Sequence, residues 1–250
     1  MHEVASNVFL GRGTAVNFVV LRDGKDLTLI DAGYPGDAAT VVAEIERIGH
    51  RWEDVRAVLV THAHVDHIGG LPALLGRRAV PVYTHARELP NAHGSAREQA
   101  SVSDVVRHSW KPRGARWLAM IAMAGGAQHL SLPTARSFPA DDRLDLPGHP
   151  IPVLSGGHTS GHTSFLLPDE GVLVSGDALI TAHPLSRRSG PQLLPSFFSH
   201  DPVASFDALA DLEDVAADIL LPGHGGLWAG NLTHAIEDAR MTAPRPPRRI

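Results

Sequence analysis

The chain has no cysteine in its 250 residues, which removes disulfides, thiolate metal sites and a cysteine nucleophile together. Any metal must be held by nitrogen and oxygen donors. Long apolar runs are missing too. Segments such as "AVLV" at 57–60 and "ILL" at 219–221 fall far short of the roughly 20 residues that cross a bilayer. An excess of positive charge is also lacking, since 22 Lys and Arg stand against 27 Asp and Glu for a net charge of −5. Nucleic acid, which calls for a basic face to neutralise its phosphates, is therefore not an expected partner. The opening "MHEVASNVFLG" has no basic segment followed by a long apolar one, so no secretory signal is read. A cytoplasmic location without a membrane partner is the expectation. No internal repeat and no Pro/Gly/Ser-rich linker divides the sequence, which points to one domain over 1–250. The basic cluster "PRPPRRI" at 244–250 reads as a solvated end.

Against these absences stand 16 histidines, gathered where strands end. "AVNFVVL" (15–21) and "LTLI" (27–30) read as strands joined by an Asp-Gly turn in "RDGKD". "DAATVVAEIERIG" (37–49) spaces Val41, Val42, Ile45 and Ile48 on one helical face, with Asp37 as N-cap and Gly49 as the stop. Strands are read again at 56–61, 80–84, 151–154, 163–167, 171–177 and 218–225, and a helix at 201–214 starts with Asp201 and Pro202. The pattern is mixed α/β. Residues 86–140 have weaker periodicity, with one helical piece in "ARWLAMIAMAG" (115–125), and read either as an insertion lying over the site or as an ordinary peripheral helix that only packs.

The segment "THAHVDHIGG" (61–70) places His62, His64, Asp66 and His67 within six positions, after an apolar run and before two glycines. His62 and His64, two apart, project to the same side of an extended strand end. Four imidazole and carboxylate groups so close can serve one metal or be divided between two. Three more strand ends each add one group: His158 in "GGHTSGH", Asp177 in "SGDAL" and His224 in "PGHGG". Together they make five histidines and two aspartates, a set that two metals sharing one carboxylate would use completely.

"LIDAG" (29–33), "THAHVDHIGG" (61–70), "GGHTSGHTS" (156–164), "SGDAL" (175–179) and "LPGHG" (221–225), in this order, resemble the metallo-β-lactamase fold superfamily, with its glyoxalase II and lactonase-like branches. The resemblance implies an αββα sandwich of two mixed β-sheets flanked by helices. It implies one metal on His62, His64 and His158, a second on Asp66, His67 and His224, and Asp177 as the bridge. The expected cofactors are two divalent ions, zinc first, with iron or manganese as alternatives. His162 then supports the site or faces the substrate, and with Asp66 it is assigned to the catalytic group. Asp31 takes a supporting position.

Two such metals imply a binuclear hydrolase in which a metal-bridging hydroxide attacks an ester-like bond (lactone, thioester or ester) of a small molecule. A bridging carboxylate at Asp177 favours the lactonase and glyoxalase II branches over the β-lactamases. The tyrosine that lactonases place after this aspartate has no counterpart, since the chain holds only Tyr34 and Tyr83. His162, His183 and His200 are the candidates to replace its hydrogen bond. The alternatives are a mononuclear iron oxygenase of the persulfide dioxygenase type and a β-lactamase-like amide hydrolase. The substrate side is expected from 86–140 together with 183–201, which mixes Arg187 and Arg188 with Leu193, Leu194, Phe197 and Phe198. This second stretch reads either as a seat for an acyl chain with an anionic end or as a packed loop whose arginines face water.

Overall fold

A computed structural model describes residues 1–139 and 142–243. The basic tail read as a solvated end lies outside the described residues. Strands β1 (His2–Ala5), β2 (Val8–Arg12), β3 (Asn17–Asp23) and β4 (Asp26–Ile30) form an antiparallel meander. The Asp-Gly turn is where the sequence puts it: Asp23 pairs with Asp26, and Gly24 takes a φ of 56° that costs glycine little. Strands β5 (Val55–Leu59), β6 (Val82–Thr84) and β7 (Arg136–Ser137) join in parallel, giving seven strands in chain order.

The second sheet starts with β8 (Ile151–Leu154), β9 (Thr163–Leu167) and β10 (Val172–Gly176), all antiparallel. β11 (Ile180–Ala182) and β12 (Ser189–Gln192) form a small hairpin of their own. β13 (Ile219–Pro222) then returns parallel to β10, and β14 (Trp228–Ala229) closes the edge. The helices are α1 (Ala38–Arg47), α2 (Val65–Ile68), α3 (Leu71–Arg77), α4 (Leu89–Ala92), α5 (Val102–His108), α6 (Pro112–Met123), α7 (Pro202–Asp207) and α8 (Leu232–Thr242).

Side-chain alternation along each strand builds the layers. Val19 and Leu21 of β3 point between the sheets, against Phe165, Leu167, Val172 and Val174. Their neighbours Phe18 and Val20 point the other way, into a core with Val41 and Ile45 of α1 and Leu71 and Leu74 of α3. On the second sheet Leu173 and Leu220 face Ala235, Ile236 and Ala239 of α8. Each such side chain contributes roughly 1.5–3 kcal/mol by leaving water. The result is the expected αββα sandwich, and the parallel strands explain why β4, β5 and β10 read as continuous apolar runs.

Three local expectations change. Asp37 precedes α1 but its side chain does not cap the helix. It accepts instead from the backbone N–H and hydroxyl of Thr14 and from the N–H of Tyr34, so it is buried as a clamp between two loops. The helix expected over 201–214 stops after Asp207 and continues as a 3-10 turn at Ala210–Leu212. Leu209 and Leu212, three apart, are eclipsed in such a turn, which suits their shared burial. Asp201 does cap α7, accepting from the N–H groups of Val203 and Ala204. The helix expected at 115–125 starts earlier, at Pro112, and carries Trp117 and Ile121 inward. Segment 86–140 does not stay outside the sandwich throughout, because its β7 pairs with β6 at the sheet edge.

Candidate metal centre

The chain reverses sharply at the end of each strand that leads to the cluster. β5 runs into His62 and His64, and the one-turn α2 then presents Asp66 and His67. His158, Asp177 and His224 follow β8, β10 and β13. The structure gathers all seven at one edge between the sheets. Their donor atoms form three groups, each within 4.8 Å: His62, His64 and His158; His62, His67 and Asp177; and Asp66, His67 and His224.

His158 Nε2 lies 3.1 Å from His62 Nε2 and 3.0 Å from His64 Nδ1. Asp177 Oδ2 is 3.4 Å from His158 Nε2 and 3.3 Å from His224 Nε2. Asp66 Oδ2 is 3.4 Å from His224 Nε2. Donors held at about 2.0–2.1 Å around a tetrahedral cation are about 3.3 Å apart, so these spacings suit a cation between them.

The outer nitrogens show which lone pairs face inward. His67 Nδ1 is 2.8 Å from Asp31 Oδ2, His224 Nδ1 is 2.7 Å from the Ala15 carbonyl, and His64 Nε2 is 2.8 Å from the Glu98 carbonyl. Each acceptor fixes the proton on the outer nitrogen and leaves the inner one free to coordinate. His62 Nδ1 likewise donates to Thr61 Oγ1, 3.0 Å away, whose own hydroxyl proton goes to Asp31. Among the described residues His67 Nε2 and Asp177 Oδ1 are buried without a hydrogen-bond partner and face each other at 3.5 Å. Orphaned buried polar atoms are costly, and a cation is the group that satisfies both. The donor set therefore fits divalent metal.

The electrostatics of these side chains agree. Burial opposes its charge, yet the carboxylates of Asp177 and Asp66 raise His224 to about 10. His67 is likewise raised despite burial, through Asp177, Asp31 and Asp66. Burial and the neighbouring imidazoles hold His62 and His158 well below the ordinary range. Asp66 and Asp177, although burial disfavours their charge, are kept ionised by His67 and His224. The carboxylates thus favour positive charge at His67 and His224, which a metal would supply.

Asp31 sits in the left-handed region at φ 60°, a strained conformation for a residue with a Cβ. Its carboxylate accepts from the N–H and hydroxyl of Thr61 and from His67. That hydrogen-bonded fit holds the strain and aligns β4 with the ligand loop.

His162 is fully buried and does not face the cavity. Its Nε2 accepts from the Asp177 N–H at 2.9 Å, and its Nδ1 lies 2.9 Å from Ser155 Oγ. Burial lowers it to about 3, so it is a neutral prop behind Asp177. His200 is exposed, 3.8 Å from Glu98, and does not line the cleft. His183 does, beside Asp66, Asp177 and His224. Its Nδ1 accepts from the Leu185 N–H at 3.1 Å, which leaves the proton on Nε2, and burial holds the ring neutral, down to about 3.

Sequence reasoning missed two carboxylates. Glu88, fully buried, accepts from the N–H groups of Ala63 and Gly161, the Asn91 amide and the Thr159 hydroxyl. It ties together the two loops that carry His62, His64 and His158. Glu98 accepts from the N–H and hydroxyl of Ser160 while its carbonyl orients His64.

Above the cluster lies a cleft of about 890 Å³ of atom-free space. Val65, Val105, Trp117, Leu118, Ile121 and Phe198 form most of its apolar wall, and Arg97, Gln99 and Gln128 are its polar additions. From the 183–201 stretch, Leu194 and Phe198 line the cleft, whereas Arg187 and Arg188 are exposed.

The sequence model of the metallo-beta-lactamase superfamily matches residues 11–224. A probable metallo-hydrolase of Bacillus subtilis (strain 168), YflN, is 32% identical over 210 residues, 79% of this chain and 74% of that protein. A hydroxyacylglutathione hydrolase of Halorhodospira halophila is 33% identical over 165 residues, 66% of this chain and 48% of that protein. Among solved structures, TTHA1623 in a di-iron-bound form shares the fold with a TM-score of 0.57 at 26% identity, covering 89% of this chain and 94% of that chain. The clustered histidines and aspartates and the match across most of the length lead to one conclusion: this chain belongs to the metallo-beta-lactamase superfamily and is a metallo-hydrolase of that family.

Proposed function

We propose that the chain is a binuclear hydrolase of small-molecule ester-like bonds, a thioester, lactone or ester. The observation that carries this reading is that Asp177 groups with His62 and His67, one from each of the other two donor groups, while His67 Nε2 and Asp177 Oδ1 have no hydrogen-bond partner among the described residues. In this reading His62, His64 and His158 hold one ion, Asp66, His67 and His224 the other, and Asp177 contributes to both. Two bound divalent ions supply Lewis acidity and a water that ionises near neutral pH. A mononuclear oxygenase would have no use for the second group.

The chain's own residues then do four things. His67 and His224, tied to Asp31 and Ala15, give up their inner protons as metal enters. Asp66, whose side chain keeps 15% exposure at the cleft, accepts a proton and returns it to the leaving group. His183, with its proton on Nε2, donates a hydrogen bond to the substrate carbonyl in the place a lactonase tyrosine would take. The apolar wall of Trp117, Ile121 and Phe198 excludes water around the bond being cleaved. Zinc, iron or manganese all suit nitrogen and oxygen donors; zinc is the first choice for hydrolysis, and the di-iron form of TTHA1623 keeps iron in view.

The test is a panel of short thioesters, lactones and esters offered to metal-loaded protein. Hydrolysis of at least one class, lost in Asp177→Asn, is the expected result. No turnover of any class by protein carrying two ions per chain would refute the proposal.

A further inference from the structure

Among the described residues seven large apolar side chains are exposed, and five of them, Val102, Val106, Trp110, Met120 and Met123, belong to α5, α6 and the turn between them. Trp110 is 75% and Met123 84% exposed. The same segment, 101–123, carries Arg107, Lys111, Arg113 and Arg116 against the single acid Asp104, in a chain of net charge −5. On α6 Arg113 turns its guanidinium to the carbonyls of His183 and Ser186, whereas Arg116, Met120 and Met123 fall at i, i+4 and i+7, one stripe of the helix. Lys111 Nζ lies 5.4 Å from the Trp110 ring centroid, so the turn presents an aromatic ring and a cation together. Charges at the start of α6 are of the sign that the helix dipole disfavours, and among the described residues neither Lys111 nor Arg116 forms an ion pair. The arrangement therefore answers to something outside the chain.

The inner faces of these helices roof the cleft, with Val102 at its rim. Val105, Trp117, Leu118 and Ile121 line it directly above the metal ligands proposed here. We infer that α5 and α6 seat this protein on an anionic lipid surface, with Trp110, Met120 and Met123 entering the headgroup boundary and the basic side chains meeting lipid phosphates. Such a helix pair, apolar and basic on its outer side, has the composition of an interfacial anchor. A second copy of the chain is a poorer occupant, because a twofold contact through this patch would bring the two sets of cations together. Nucleic acid would meet the charge and leave the tryptophan, methionines and valines uncovered. The absence among the described residues of a helix able to cross a membrane does not bear on a contact made from one side.

The experiment is co-sedimentation of the full chain with phosphatidylcholine vesicles, pure or with phosphatidylglycerol as about one lipid in three. Binding to the anionic vesicles, weakened by salt and accompanied by a blue shift of tryptophan emission, is expected. Trp110→Ser with Met123→Ser should weaken partitioning at least about tenfold, as should Lys111→Glu with Arg116→Glu. Turnover of a water-soluble ester should be unchanged in both double variants. Protein that stays in the supernatant with anionic vesicles at low salt would overturn the inference. So would self-association abolished by the Trp110 and Met123 changes, or equal affinity of wild type and that variant for vesicles. Vesicle binding is read with and without added metal and needs no substrate, so this inference and the hydrolase reading can fail separately.

Discussion

The floor and the roof of the cleft are built in opposite ways. The floor is a set of histidines and aspartates on strand ends, with the outer nitrogens of four of its rings engaged by Asp31, Thr61, Ala15 and Glu98. The roof is the helix pair α5 and α6 with an apolar inner face, tied to the 183–186 loop through Arg113. In the function proposed here, the contrast separates chemistry from selectivity: the floor would set what reaction is possible, and the roof what reaches it.

The sharpest way to break this division is to alter the floor. His64→Ala and Asp177→Asn should each lower kcat/KM by at least about a thousandfold for every substrate, since each removes a proposed ligand. Far-ultraviolet circular dichroism should be unchanged, because the αββα core makes no use of either side chain. His158→Ala should lose metal, whereas His162→Ala, one layer behind, should retain it with weakened affinity. Metal retained by His158→Ala and lost by His162→Ala would reverse the assignment of the two histidines.

A step smaller is Asp31→Asn. Asparagine tolerates the left-handed backbone, so the variant isolates the carboxylate, and metal affinity should fall about 10–100-fold. An unchanged affinity would mean that the His67 orientation is set elsewhere.

Acid and alkali test the floor in another way. His162 and His183 are held neutral by burial, both near 3. Their contribution to the metal-free fold is present above the ordinary 6.5 and is lost as pH falls from 6.5 toward 3. His224, raised to about 10, contributes fully below 6.5 and loses that contribution as pH climbs toward 10. Metal-free protein should therefore show its highest melting temperature near pH 6.5, and metal should move the optimum upward by replacing the protons. A melting temperature that rises steadily through pH 9 without metal would contradict the assigned charges.

The smallest effects belong to the roof. Trp117→Ala should raise KM about tenfold for apolar substrates, leaving kcat and the turnover of small polar esters little changed. An equal loss on all substrates would erase the separation between floor and roof. Arg187→Ser and Arg188→Ser, exposed and away from the cleft lining, should change stability by no more than about 0.5 kcal/mol.

The same contrast governs how much could be read from the sequence. His62, His64, Asp66 and His67 are legible because they lie in six consecutive positions, and His158, Asp177 and His224 because each follows a strand in a glycine-marked loop. The strand and helix patterning made the mixed α/β class legible, and the sandwich itself followed from the resemblance of the five motifs. Glu88 was not, since its partners Ala63, Thr159 and Gly161 stand 25, 71 and 73 positions away and most are backbone or hydroxyl groups without a motif. Asp37 misled for a related reason: a carboxylate at a helix start suggests a cap, and only the fold reveals Thr14 as its partner. His162 shares its motif with His158, and only the Asp177 N–H shows which way it faces. The roof carried no periodic signal strong enough to place its inner face until Trp117 and Ile121 were seen buried.

The central claim is that two ions share Asp177, and metal content per chain tests it most directly. Protein purified without chelator or histidine tag, analysed for zinc, iron and manganese, should carry about two ions per chain, falling to about one or none in Asp177→Asn. A single ion per chain at full hydrolytic activity, unchanged in that variant, would contradict the account.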